Sequence, residues 1–106
     1  MTQGDARWEV SPDVRSAYSE DGAVLLDIDK GLCYSLNVVG SRIWVTIESS
    51  PGIHLEAIVD ALQTHFQISR QELRTDTTEY LNSLLQKGLV RSNGATPAAK
   101  AERGGK

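Results

Sequence analysis

From residue 14 to residue 36 apolar and polar side chains alternate, and the alternation is broken twice, at Glu20-Asp21-Gly22 and at Asp29-Lys30-Gly31. Each break ends in a glycine, the residue that accepts the left-handed backbone of a tight turn between antiparallel strands. The nine residues from one glycine to the next match the repeat of a three-stranded meander. Strands are therefore predicted at 14–19, 23–28 and 32–36. Val24, Leu26 and Ile28 fall on one face of the second, and Leu32, Tyr34 and Leu36 on one face of the third. A period of two with one apolar face predicts a sheet covered on one side only, so the cover must come from helices.

The period lengthens after Asn37, a good N-cap. Val39, Ile43, Trp44 and Ile47 recur at helical spacing, and Ser49-Ser50-Pro51-Gly52 ends the run. A second stripe, Leu55, Ile58, Val59, Leu62 and Phe66, starts near His54 without a strong cap. The third helix has the clearest start. Ser69 stands three residues before Glu72, as in a capping box, while Ile68 and Leu73 have the spacing of a hydrophobic staple. Its buried face is predicted to be Leu73, Thr77, Tyr80, Leu81, Leu84 and Leu85, and Lys87-Gly88 closes it. The predicted fold class is thus α+β and winged-helix-like, a three-stranded antiparallel meander followed by three α-helices. Residues 1–7 and 92–106 carry no apolar pattern and are expected to be disordered ends around one domain at 8–91.

A chain of 106 residues with 40% hydrophobic content supports one core and leaves little room for a deep catalytic cavity. The single cysteine, Cys33, excludes an internal disulfide, and His54 and His65 have no third ligand at metal-site spacing. Neither a metal nor an organic cofactor is therefore expected. No apolar run is long enough for a membrane span, and residues 1–7 lack a secretory signal pattern, which together with one unpaired thiol points to the cytoplasm. A formal net charge of -3 argues against a dominant attraction to nucleic acid or anionic lipid.

Catalysis finds no support in the residue pattern. Cys33 sits mid-strand with no orienting carboxylate in sequence reach. Glu72 and Asp29 are explained by capping and turn roles, which leaves Asp76 beside the apolar stripe of the third helix as a rim carboxylate. A winged-helix DNA-binding regulator is the alternative the element order raises. Against it, the third helix sets Arg70, Arg74 and Lys87 against Glu72, Asp76 and Glu79, a formal sum of zero, and the hairpin turns are acidic. The third strand, Leu32-Cys33-Tyr34-Ser35-Leu36, has no charge, proline or glycine to blunt its edge. Its open main chain suits an added peptide strand or a second copy of the chain, unless a helix or the segment around Trp8 covers it.

The runs GAVLLDIDKGLCYSL at 22–36, NVVGSRIW at 37–44, EAIVDAL in the second helix and DTTEYLNSLLQKGLV in the third resemble the PqqD-like family. These small domains recognise leaders of ribosomally synthesised, post-translationally modified peptides. The resemblance implies a non-catalytic module that holds a leader as an antiparallel strand against the third strand, in the groove beside the third helix. It further implies delivery of the precursor to a modifying enzyme, either a radical SAM protein or the leader peptidase and cyclase of lasso peptide pathways. The binding residues so implied are Leu32, Cys33, Tyr34, Ser35 and Leu36 on the strand and Arg74, Asp76, Thr77, Tyr80, Leu81 and Leu84 on the helix.

Overall fold

The computed structural model describes residues 6–93. In chain order these form β1 (Arg7–Val10), β2 (Val14–Ser19), β3 (Gly22–Asp27), β4 (Leu32–Leu36), α1 (Val38–Ser49), α2 (Leu55–Gln63), α3 (Arg70–Gln86) and β5 (Val90–Asn93). The expected meander is the antiparallel sheet β2-β3-β4, followed by the three expected helices. Two short strands lie outside that expectation. β1 pairs antiparallel with β5, from Arg7 opposite Asn93 to Val10 opposite Val90, and Trp8 bridges to Ile53 on the loop after α1. Arg7, Ser92 and Asn93, assigned to the ends from composition, therefore lie in strands. Ala6, assigned with them, is buried, and the remainder, 1–5 and 94–106, falls outside the described residues.

Capping chemistry sets the helix starts. Asn37 Oδ1 accepts from the Gly40 amide at 2.8 Å, and Ser69 Oγ accepts from the Glu72 amide at 3.1 Å, so α1 and α3 begin where local hydrogen bonding predicts. α2 starts after His54 without a side-chain cap. It is held from outside, by Arg70 to Glu56 at 2.9 Å and Asp60 at 2.6 Å, and by Arg74 to Glu56 at 2.6 Å. Phe66 lies beyond the end of α2 and packs as a partly buried residue of the following turn.

The expected inward face of the second meander strand is inverted. Ala23, Leu25 and Asp27 point into the protein, whereas Val24, Leu26 and Ile28 are 47%, 40% and 52% exposed. The register explains why: Ala23 opposes Leu36 and Leu25 opposes Tyr34, and directly opposed residues share a face. Leu36 is buried and Tyr34 packs against the core, so Ala23 and Leu25 opposite them face inward. Asp27 is tolerated inside because its Oδ1 accepts from the Lys30 amide at 3.2 Å and braces the β3–β4 turn. Leu85, expected on the buried face of α3, is 41% exposed. The core gathers Leu25, Ile43, Trp44, Ile47, Ile58, Leu62, Leu73, Leu81 and Leu89, and so joins the meander to all three helices.

Candidate functional site

β4 is a sheet edge. Among the described residues its one strand partner is β3, and the segment around Trp8, which could have covered it, pairs with β5 instead. In an antiparallel strand about half of the main-chain N–H and C=O groups point to each side, so β4 directs an unpaired row of donors and acceptors outward. Beside that row runs a cleft of about 320 Å³, lined by Tyr34, Ser35 and Leu36 from β4, by Tyr80, Ser83 and Leu84 from α3, and by Lys87 and Leu89 just beyond it.

The two walls of the cleft run in opposite directions. The Tyr80 ring lies against Gly40, in the first turn of α1 directly after β4, and leaves no room for a Cβ there. Lys30, in the turn before β4, reaches the other end, where its Nζ donates to the Lys87 carbonyl at 3.4 Å. Tyr80 thus marks the end of the cleft near Leu36, and Lys87 the end near Leu32. Seven helical residues separate these marks, a rise of about 10 Å, which an extended chain covers in about three to four residues. Burial holds the Tyr80 hydroxyl above the ordinary tyrosine value of 10.0, so it stays a neutral hydrogen-bonding group.

Of the residues singled out from sequence, Tyr34, Ser35, Leu36, Tyr80 and Leu84 line this cleft. Leu32 and Cys33 belong to the same strand but are exposed, Cys33 on the outer face opposite Leu26. Thr77 and Leu81 are fully buried, and the Thr77 hydroxyl has no hydrogen-bond partner. Arg74 is turned towards α2, where it holds Glu56. Asp76 is exposed one turn before Tyr80. Ser83, Lys87 and Leu89 were missed, although Ser83 and Lys87 follow Tyr80 at i+3 and i+7, the spacing of one helix stripe.

Among the described residues no group of three or more His, Cys, Asp or Glu is placed to hold a metal ion. No helix there is long and apolar enough to cross a membrane.

No curated protein matches the chain. Two solved structures are similar to it. One is TbiB1 in complex with the TbiA(beta) leader peptide, 35% identical with a TM-score of 0.70, the match covering 77% of this chain and 93% of that one. The other is lasso peptide synthetase B1 complexed with the leader peptide, at 21% identity and a TM-score of 0.69 over 80% of this chain and 98% of that one, a likeness of fold. Residues 22–90, from the first residue of β3 to the first of β5, match the family described as coenzyme PQQ synthesis protein D, and the chain belongs to this PqqD family.

Proposed function

We propose that this chain is a non-catalytic module that captures the leader of a ribosomally synthesised precursor peptide as a strand added antiparallel to β4. The observation that carries the reading is the pairing of an uncharged, unpaired β4 edge with the cleft bounded by α3. The bound-state composition of the TbiB1 structure supports it, since that relative is 35% identical and holds a leader peptide. The chain then hands the precursor to a modifying enzyme, of the leader peptidase and cyclase kind used in lasso pathways or of the radical SAM kind.

Magnitudes fit a carrier. Four main-chain hydrogen bonds contribute about 4 kcal/mol at about 1 kcal/mol net each, while ordering a disordered leader costs about 2–5 kcal/mol. These nearly cancel, so side chains seated in the cleft set the affinity. A DNA-binding reading gains nothing from the geometry: Arg70 and Arg74, the two cations of α3, are already paired with Glu56 and Asp60.

The test is a titration of isotope-labelled protein with the TbiA(beta) leader peptide and with a leader encoded beside this chain. Amide shifts are expected along β4 and on the Tyr80–Lys87 stretch of α3. Shifts confined to other surfaces, or tight binding of generic duplex DNA at low salt, would refute the proposal.

A further inference from the structure

Charges of opposite sign stand at the two ends of the cleft, and their polarity bears on the flanks of the peptide it takes. This rests on the strand-addition reading. Asp76, Tyr80, Ser83 and Lys87 are spaced by four, three and four residues, so they form one stripe of α3 and its C-cap; the last three line the cleft, and Asp76 lies one turn beyond its Tyr80 end. The stripe begins with a carboxylate and ends with an ammonium. At the basic end a second ammonium joins, because Lys30 Nζ donates to the Lys87 carbonyl at 3.4 Å while Lys87 Nζ donates to Ser83 Oγ at 2.9 Å. Each ammonium has three donors, so both keep donors for a ligand. Among the described residues Lys30, Lys87 and Asp76 have no ion-pair partner; the pairs present join Arg70, Arg74 and Arg91 to Glu56, Asp60 and Glu9.

Direction follows from the register. A peptide added antiparallel to β4 enters beside Leu36 and leaves beside Leu32, so it runs parallel to α3 with its N-terminal side at Asp76 and its C-terminal side at Lys30 and Lys87. The eleven residues from Asp76 to Lys87 span about 16 Å of helix, which is about five residues of extended chain. We infer that the leader read by this chain carries a basic residue before its apolar anchors and an acidic residue about five positions later, with the anchors at alternate positions between them.

A random-peptide display library, selected on the 106-residue chain, supplies the probe, so the natural leader need not be identified first. The best apolar segment is then synthesised in two versions of identical net charge, one with a lysine flank at the N-terminal side and a glutamate flank at the C-terminal side, the other with the flanks exchanged. The basic-first peptide is expected to bind about tenfold more tightly at low salt, from two exposed charge contacts of the usual size gained in one peptide and repelled in the other. The preference should shrink at high salt and disappear in the Asp76→Asn, Lys30→Gln, Lys87→Gln triple variant. Equal affinity of the two peptides, with amide shifts still on β4, overturns the polarity and leaves strand addition standing. Shifts away from β4 overturn both.

Discussion

Replacing Gly40 with alanine tests how closely the cleft is built. A Cβ at this position would overlap the hydroxyl oxygen, Cζ and Cε2 of Tyr80, so the ring must move. Elsewhere in a helix the change would stabilise, by up to about 1 kcal/mol in propensity. Here Tyr80 is half-buried against the core, and a tyrosine ring buries about 150–250 Å² in full. Displacing it re-exposes about 100 Å², a loss of about 2.5 kcal/mol at about 25 cal/mol per Å². The net expectation is a destabilisation of about 1.5 kcal/mol, a fall in Tm of roughly 6–12 °C for a domain this size. Peptide affinity should drop as well, because the displaced ring moves within a wall of the cleft. The second site separates this account from general damage. Tyr80→Phe removes the hydroxyl but keeps Cζ and Cε2, so it should not rescue Gly40→Ala. Tyr80→Leu removes all three atoms and should recover most of the loss in a double-mutant cycle. Thermal unfolding of the three single and two double variants decides the matter: a Gly40→Ala protein as stable as wild type, or equal rescue by phenylalanine and leucine, refutes the contact.

Thr77→Val should raise stability by about 1 kcal/mol in urea unfolding, because it removes a buried hydroxyl that has no partner, and it should leave peptide affinity unchanged because Thr77 is wholly covered. Cys33→Lys should barely alter Tm, since the side chain points outward from β4, yet weaken strand addition by charging the edge, which calorimetry with the leader measures. Acid should loosen the α2–α3 clasp. Hydrogen bonds from Arg74 and then Arg70 hold the Glu56 carboxyl below its ordinary 4.5. Its contribution is therefore present above about pH 4.5 and lost as pH falls through the lowered folded value. At this exposed site the effect is at most about 1 kcal/mol per pair. Glu56→Gln should flatten the acid limb of the stability profile, and an unchanged limb would count against the clasp.

What sequence revealed depended on how local the cause was. Ser69 and Asn37 could be assigned as caps because each bonds an amide three residues on, whatever the rest of the chain does. The face of β3 was illegible for the opposite reason. Its sequence GAVLLD is apolar on both sides, so a period of two has two solutions, and the choice is made by pairing with β4. β1 and β5 are four residues each and meet only across the length of the domain, through a register no local pattern encodes. On α3 the difficulty was angular. Leu73, Thr77, Leu81 and Leu84 face the core, and the stripe one residue earlier, Asp76, Tyr80, Ser83 and Lys87, is turned from it by about 100°. Along the sequence the two stripes interleave, so Thr77 and Leu81 read as groove residues while Ser83 and Lys87 do not.

That separation of stripes lets one short helix serve stability and recognition at once. Leu73, Thr77 and Leu81 are covered, so substitutions at the exposed or half-exposed Asp76, Ser83 and Lys87 leave the interior closed, whereas Tyr80 and Leu84 belong to both cleft and core. Along about 10 Å an extended peptide presents two side chains to one face, and two anchors at about 1.5–3 kcal/mol each give roughly 3–6 kcal/mol. With the main-chain hydrogen bonds offset by ordering, that range corresponds to dissociation constants from millimolar to tens of micromolar. Tighter capture must draw on more than the two anchors, and Asp76 beyond one end of the cleft with Lys30 and Lys87 at the other are the charged groups placed to supply it. Under the strand-addition proposal the edge of β4 takes the backbone of a peptide, and selection among peptides falls to the few side chains that fill the cleft and the charges that bracket it.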